Sequence, residues 1–267
     1  MKSRGEDWLW QPIPDIPGIE HRKTVRIREC GEPLVPLSAL APNLILVRPE
    51  YYLAGYKNAL NECYVRGTVG EKLVEAARLL PHGLRLLVLD GWRPLALQAE
   101  LFERQRRRVK ESNPHYTDEQ VAAEAEIHVS LPADDPSLPP PHLTGGAVDL
   151  KICDERGKPL PMEPPFDCPV PESRTRYYEE KLAEGKALTR REREFLRYRR
   201  LLYNVLTRVG FTNYVREWWH FDYGDQFWGA IVGRESIYGR ADLTDLPVGK
   251  AVDEAPPAVQ PLGPRQA

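Results

Sequence analysis

The sequence predicts a single α+β domain in which an antiparallel sheet is covered on one side by helices. The first observation is the order of its patterned segments, which is helix, strand, helix, helix, strand, helix, strand between residues 68 and 223. The second is composition, because 42% apolar and 28% charged residues are ordinary for a globular protein with a sizeable core. The third is that no internal repeat or heptad pattern indicates a solenoid or coiled coil.

The first two elements are a helix over residues 68–80 and a strand over residues 84–90. Thr68 and Glu71 match a capping box, and KLVEAARLL continues with apolar residues at helical spacing. After the Pro-His-Gly break, LRLLVLD is short and almost continuously apolar, which is typical of a buried strand.

Two helices follow, over residues 94–110 and 117–129. Pro94 suits a first helical turn, and the segment behind it has a basic outer face. Thr117 and Gln120 match a second capping box, which predicts the start of the next helix.

The last three elements are a strand, a long helix and an aromatic strand. GAVDLKI over residues 146–152 alternates in polarity as a strand does. The helix over residues 189–209 has a third capping box, Thr189 with Glu192, and ends at a C-cap glycine, Gly210. EWWHFDY over residues 217–223 is rich in aromatic residues and favours a strand.

Proline divides the chain into three regions. An extended, proline-rich arm is expected over residues 1–43, and a single folded domain over residues 44–240. Residues 241–267 have several prolines and few large apolar residues, which predicts a disordered tail.

Charge and targeting patterns limit the possible partners. Lys and Arg total 37 against 39 Asp and Glu, so nothing in the charge favours nucleic acid or an anionic membrane as a partner. The longest apolar runs are too short to span a bilayer, and the N-terminus has no apolar signal region. Four scattered cysteines without a CxxC pair indicate reduced thiols. We therefore expect a cytoplasmic protein, with its oligomeric state left open.

The segment from His142 to Asp149 could form a local metal clip. Two glycines in HLTGGAVD would let the chain turn tightly, so that the imidazole and the carboxylate could converge on one ion. Taken alone, this spacing favours a structural interpretation, which is a glycine turn with a surface histidine and an aspartate at the start of a strand.

Glu217 and His220 form a second candidate group. A carboxylate three residues before a histidine is common in zinc hydrolases, where it serves as base beside a ligand. In a regular strand the two side chains would point to opposite faces, so convergence requires a bulge or a strand end. The alternative is an aromatic core strand with a hydrogen-bonded histidine.

Arg93 follows the predicted strand that ends at Asp90. The sequence DGWRP would hold this arginine on a stiff turn, where it could face an oxyanion or a substrate carboxylate. Alone, an ion pair with Asp90 is the simpler interpretation. Together, the three groups supply two imidazoles, one carboxylate, a spare carboxylate and a cation, which is the inventory of an open zinc site at the sheet. The four other histidines are expected to be surface or structural residues, namely His21, His82, His115 and His128.

The ordered set DGWRP, PPHLTGGAVDL and EWWHFDY resembles the D-alanyl-D-alanine dipeptidases of the vancomycin-resistance type. These belong to the wider group of zinc D,D-peptidases, and the resemblance covers residues 44–223. It implies one Zn²⁺ per chain and a dipeptide substrate. The ligands that it implies are His142, Asp149 and His220.

The resemblance also implies roles for the neighbouring residues. Glu217 would be the general base, and Arg93 would stabilise the transition state, with Asp90 orienting Arg93 or the substrate. Asp167, in PMEPPFD, resembles the aspartate that faces the free amino group of the dipeptide. Pro140 stands where the wider group has serine, so we expect Thr144 or backbone N–H groups to hold the substrate carboxylate instead.

Two rival functions remain open at this point. A zinc D,D-carboxypeptidase that trims longer cell-wall peptides would share every metal residue and differ in how the amino-side pocket is closed. A non-catalytic zinc protein that binds peptides is disfavoured by Glu217, because a structural site more often closes its fourth position with a protein ligand.

Overall fold

The computed structural model describes residues 7–132 and 134–243, and within them the chain forms a mixed α+β domain. The strands are β1 (Leu34–Pro36), β2 (Ile45–Val47), β3 (Tyr64–Arg66), β4 (Leu84–Asp90), β5 (Ala147–Asp154), β6 (Thr212–Asn213) and β7 (His220–Asp222). The α-helices are α1 (Glu50–Leu53), α2 (Gly67–Arg78), α3 (Leu95–Ser112), α4 (Asp118–Glu126), α5 (Tyr177–Ala183), α6 (Arg190–Arg208) and α7 (Gln226–Val232). The predicted α+β class is confirmed.

The central sheet has five strands in the order β2-β4-β5-β7-β6. Three of its neighbouring pairs are antiparallel, as expected, whereas β2 and β4 run parallel. The parallel pair arises because the chain crosses from β2 to β4 through α1, β3 and α2, so that both strands start from the same edge. No strand was predicted at β2, which has only three residues.

Helices α2 and α6 pack on one face of this sheet. Alternation along β4 and β5 turns Leu86, Val88 and Leu150 toward these helices, where they join the main apolar core. The opposite face carries a smaller apolar cluster around Leu87 and Leu89, together with the polar groups described below. The sheet face that the helices cover therefore forms the main core, and the opposite face carries the polar residues of the candidate site.

The helix caps follow two of the three predicted boxes. The boxes at Thr117 and Thr189 are both formed, with hydroxyl and carboxamide or carboxylate bonded reciprocally to backbone N–H groups. The predicted box at Thr68 is wrong, because α2 already begins at Gly67 and Thr68 lies inside its first turn. The Thr68 backbone N–H and hydroxyl instead donate to the carboxylate of Glu32, at 2.9 and 2.8 Å.

The other predicted helix bounds are close to those observed. Pro94 is the N-cap of α3, which starts one residue later and continues to Ser112. Helix α4 ends at Glu126, three residues before the predicted end. Gly210 follows the C-cap of α6 with φ of +100°, a backbone conformation that glycine adopts without strain.

The described part of the N-terminal arm lies against the domain. Leu9 and Ile13 are buried, and the Ile13 N–H donates to the Glu179 carboxylate at 2.9 Å. Residues 244–267 of the predicted tail lie outside the described residues. Within the described part of the chain, every helix is too short or too polar to cross a bilayer.

Candidate metal centre

Three side chains form a row across the ends of the central strands. Asp149 of β5 is the register partner of Asp90 on β4 and of His220 on β7. The Nδ1 atom of His220 lies 3.0 Å from Oδ1 of Asp149, and both side chains are almost fully buried. Strand pairing, which is rigid, therefore sets the separation of the two residues.

His142 reaches the same point from the short 3₁₀ turn Pro141–Thr144. Its Nδ1 atom lies 2.8 Å from the carbonyl oxygen of Gly91, and since a carbonyl only accepts, this nitrogen carries the hydrogen. The other nitrogen, Nε2, is then left with its lone pair, 3.3 Å from Oδ2 of Asp149. The His142 tautomer is thus the one that a metal requires.

The two glycines after Thr144 allow this approach. Gly145 has φ of +72°, and a Cβ there would lie 2.6 Å from the Leu34 side chain. A Cβ on Gly146 would lie 2.7 Å from the backbone oxygen of Tyr223. Side chains at these positions would push the turn away from the sheet and separate His142 from Asp149.

Buried Arg66 holds the same turn from the other side. Its Nε atom donates to the Thr144 carbonyl at 2.8 Å, and its backbone N–H donates to the Gly145 carbonyl at 3.0 Å. The rest of its guanidinium bonds to Glu32, Glu29 and the Gly239 carbonyl. One arginine therefore joins the turn to both terminal segments of the domain.

The three convergent residues can hold a metal ion. One donor atom from each of His142, Asp149 and His220 lies within 4.8 Å of the others. Tetrahedral zinc with bonds of about 2.0–2.1 Å separates its ligands by about 3.3 Å. Here Nε2 of His142 lies 3.3 Å from Oδ2 of Asp149, and Nδ1 of His220 lies 3.0 Å from the other oxygen, Oδ1. Two imidazoles and one carboxylate are also a donor set that zinc accepts with one position open. The residues present fit the ion that the sequence predicts.

Neighbouring charges outweigh burial in setting the pKa values of Asp149 and His220. Burial alone would raise the pKa of Asp149, yet His142 and His220 hold it well below its ordinary range. Burial likewise would lower the pKa of His220, whereas the carboxylates of Asp222 and Asp149 raise it well above 6.5. Without a cation, the two carboxylates therefore favour the protonated form of His220, and a bound metal would take the place of that proton.

Glu217 lies beside the metal residues because β7 is shorter than predicted. The strand starts only at His220, and residues 214–220 form turns in which Glu217 N–H donates to Tyr214 and His220 N–H donates to Glu217. The prediction of a strand from residue 217 is therefore wrong for its first three residues. In this turn the Glu217 carboxylate reaches His220, with Oε2 3.8 Å from Nδ1. Burial raises the pKa of Glu217 to about 8.

Arg93 and Asp90 form a buried ion pair at the end of β4. Oδ2 of Asp90 accepts from both Nε and Nη2 of Arg93, at 2.8 and 2.6 Å. Nη1 donates to Gln98, and Nη2 also lies 3.5 Å from Asp149. Burial would lower the pKa of Arg93, but the Asp90 carboxylate outweighs burial and raises this pKa above its ordinary value. The guanidinium therefore stays charged beside the metal residues.

Arg93, Glu217 and the three metal residues line one cleft of about 750 Å³, part of it open to solvent, whereas Asp90 does not line it. Asp167 also lines the cleft and has φ of +58°, and burial raises its pKa against the opposing effect of Arg93. Pro140 forms part of the wall, so no serine hydroxyl is present there. The structure thus brings together Glu217, Arg93, Asp167 and the three metal residues.

Thr144 is placed differently from the expectation. Its hydroxyl donates to the Pro141 carbonyl at 2.6 Å and accepts from the Gly146 N–H at 2.9 Å, and the residue does not line the cleft. Because both functions of the hydroxyl serve the turn, the expected contact with a substrate carboxylate has no support in this geometry. His128, which we expected to be a surface or structural residue, does line the cleft.

Sequence reasoning missed several residues of the site. Gln98 fixes Arg93, and the Tyr51 ring lies 5.1 Å from its guanidinium carbon, but no local pattern marks either residue. Asp222, whose Oδ1 lies 2.9 Å from Nε2 of His220, was also missed. The alternation of a strand could have found it, since residues 220 and 222 share a face.

Comparisons with known proteins agree with this arrangement. Residues 55–236 match the family described as D-ala-D-ala dipeptidase. A D-alanyl-D-alanine dipeptidase of Synechocystis sp. is 29% identical over 216 residues, covering 76% of this chain and 87% of the relative.

Two solved structures show a weaker similarity. A vancomycin-resistance D,D-pentapeptidase, VanY, in complex with Zn(II) is 20% identical, with 64% of this chain and 80% of that chain covered and a TM-score of 0.37. VanYB in complex with D-alanine-D-alanine is also 20% identical, with 67% and 83% covered and a TM-score of 0.39.

Proposed function

The chain belongs to the D-ala-D-ala dipeptidase family, and we propose on that basis that its cleft binds zinc and hydrolyses D-alanyl-D-alanine to free D-alanine. The observation that carries this proposal is the convergence of His142, Asp149 and His220, with Glu217 adjacent but outside the ligand set. Such a centre leaves one coordination position open, as catalytic zinc sites do. Zinc bound there supplies Lewis acidity, which polarises the scissile carbonyl and makes water more acidic.

Glu217 acts as the general base. Its carboxylate lies 3.8 Å from a ligand atom of His220, so water attacking a substrate at the metal would be within its reach. The water oxygen forms a bond to the carbonyl carbon as Glu217 accepts a proton. Glu217 then returns this proton to the nitrogen of the leaving D-alanine as the C–N bond breaks.

Arg93 stabilises the negative charge that develops on the carbonyl oxygen. Asp90 and Gln98 fix its guanidinium with three hydrogen bonds, and these leave N–H groups free to face the cleft. A cation fixed in advance needs no reorganisation as the charge develops, which is the property of an effective oxyanion donor.

Asp167 binds the free ammonium group of the dipeptide. Support comes from its place in the cleft that holds the metal residues and from its burial, which strengthens an ion pair. This contact would favour dipeptides over the longer peptides of a carboxypeptidase, because an acylated nitrogen carries no charge.

The proposal extends to the setting of the reaction. A dipeptide of D-alanine is a cell-wall building unit, so its hydrolysis places the enzyme in peptidoglycan metabolism. None of the four cysteines is in a disulfide, which agrees with a cytoplasmic location.

The test is release of D-alanine from D-alanyl-D-alanine by the purified full-length chain, before and after treatment with a chelator and addition of zinc. We expect release that stops on chelation and returns with zinc. An N-acetylated dipeptide in a parallel assay should be a poor substrate. Zinc-loaded protein that leaves the free dipeptide intact and cleaves the acylated one would overturn the dipeptidase proposal in favour of the carboxypeptidase.

A further inference from the structure

Asp222 contacts the ligand His220 on the side away from the metal position. The two residues are two apart in β7, so their side chains emerge on the same face of the strand. Oδ1 of Asp222 lies 2.9 Å from Nε2 of His220. A carboxylate oxygen accepts in this contact, so Nε2 carries a hydrogen, and Nδ1, which faces Asp149, is the nitrogen left to bind a metal.

The fold provides space for this carboxylate below the site. The register partners of Asp222 are Ala147 on β5 and Thr212 on β6, both small residues. Asp225 lies against Asp222, and its Oδ1 caps α7 by accepting from the Trp228 N–H at 2.9 Å. Asp222 is thus enclosed by short side chains and by the start of a helix.

Burial of the Asp222 carboxyl group costs free energy unless its hydrogen bond with His220 offsets this cost. The residue has no solvent exposure. Its Oδ2 atom accepts no hydrogen bond from the described residues, and the nearby polar side chain is the carboxyl group of Asp225. His220 is therefore the N–H donor to which this carboxylate is committed. A carboxylate kept this deep for one imidazole indicates a role in orienting it.

We propose that Asp222 is a positioning residue for the metal, which fixes the tautomer and ring orientation of His220 and makes its Nδ1 a stronger ligand. This inference rests on the proposed function, since it assumes that zinc binds to Nδ1. A carboxylate bonded to the far nitrogen of a ligand histidine raises the basicity of that ligand, and its loss typically lowers metal affinity about 10–100-fold.

The experiment measures zinc affinity rather than catalysis. Zinc-free full-length wild type, Asp222→Asn and Asp222→Ala compete for zinc with a chromophoric chelator. We expect affinity about 10-fold weaker for the asparagine variant, which keeps an acceptor, and up to about 100-fold weaker for the alanine variant. In the cobalt-substituted protein, the visible absorption bands of the alanine variant should shift, because the geometry at His220 changes.

Asp225→Asn is the matched control. It replaces a neighbouring buried carboxyl group and keeps an oxygen for the α7 cap. Among the described residues, the His220 ring bonds to Asp149 and Asp222 and not to Asp225. We expect its zinc affinity to stay close to that of the wild type. Near-ultraviolet circular dichroism of each zinc-free variant identifies any that fail to fold. If the alanine variant fails to fold, the affinity of the isosteric Asp222→Asn decides the test.

Two outcomes overturn this inference alone, and a third overturns it together with the proposed function. Unchanged affinity in a folded Asp222→Asn shows that the carboxylate does not position the ligand. An equal loss in Asp225→Asn shows that replacing any carboxyl group near His220 has the same effect. Wild type that binds no zinc would remove the metal centre itself, and with it both proposals.

Discussion

Asp90 and Arg93, at the end of β4, are joined through a single carboxylate oxygen. Oδ2 of Asp90 accepts two hydrogen bonds from the Arg93 side chain and also lies 3.6 Å from Nδ1 of His142. Arg93 therefore forms the ion pair that sequence alone suggested as the simpler interpretation, and it also lines the cleft. One carboxylate fixes the arginine and borders a metal ligand, so the two cannot move independently.

Replacing Arg93 tests this arrangement. Arg93→Lys keeps the charge but cannot bond to Asp90 and Gln98 together, so the cation loses its fixed position. We expect kcat for D-alanyl-D-alanine to fall about 100-fold or more, with zinc content unchanged. Arg85→Lys, at the far end of β4, is the control and should stay near wild type. Normal turnover by Arg93→Lys would contradict a role in the transition state.

Glu217→Gln tests the general base. The amide has nearly the same shape but cannot accept a proton, so we expect kcat to fall by a factor of about 10²–10⁴. Zinc content, measured by atomic absorption, should stay at one per chain because Glu217 is not a ligand. A variant that keeps most of its activity would show that another group moves the proton.

Removing the metal should destabilise the protein. A ligand that binds only the folded state stabilises it by about 2.7 kcal/mol at 100 times its dissociation constant, and chelation withdraws this contribution. We expect the melting temperature in differential scanning calorimetry to fall with chelator and to recover with zinc. His220→Ala, which loses a ligand, should show no such dependence. A chelator-insensitive wild type from which zinc has been shown to leave would contradict this coupling.

Asp167→Asn tests recognition of the substrate amine. Loss of a charged hydrogen bond costs about 1.5–3 kcal/mol, which corresponds to a reduction of roughly 10–150-fold in kcat/KM for D-alanyl-D-alanine. The slow cleavage of an N-acetylated dipeptide should change little, so the variant loses selectivity. If both substrates lose activity equally, Asp167 supports the cleft and does not recognise the amine.

Glu32 should matter more to stability than Glu71. Glu32 caps α2 through Thr68, whereas Glu71, its counterpart in the predicted capping box, is exposed. We expect Glu32→Ala to lower the free energy of unfolding by about 0.5–2 kcal/mol in urea denaturation, and Glu71→Ala to have little effect. Equal losses of unfolding free energy in the two variants would contradict the role of Glu32 as the cap of α2.

Much of this site was predictable because its residues lie in short local patterns. His142 and Asp149 are joined by a glycine turn, and Glu217 and His220 by a single turn, so spacing along the chain already limits their separation. The convergence of the two groups depends on the pairing of β5 with β7. That pairing is a long-range contact, which the resemblance supplied and the spacing did not.

What the sequence could not predict depends on tertiary contacts. The Thr68 box has the right residue types, but Glu32 approaches from a distant part of the chain and takes its place. The strand predicted from Glu217 has strand-like composition, yet the turn at Tyr214 interrupts it. Thr144 has the hydroxyl that a substrate contact needs, and the fold directs it into its own turn.

The contacts of Arg66 bear on how short an active form of this chain can be. The predicted domain over residues 44–240 contains every metal and cleft residue, but it omits Glu29, Glu32 and β1. A protein cut at residue 44 would leave Arg66 with fewer partners, although this arginine supports the turn that carries His142. Proteolysis ahead of β2 would therefore inactivate the enzyme by loosening a ligand that lies far away in sequence.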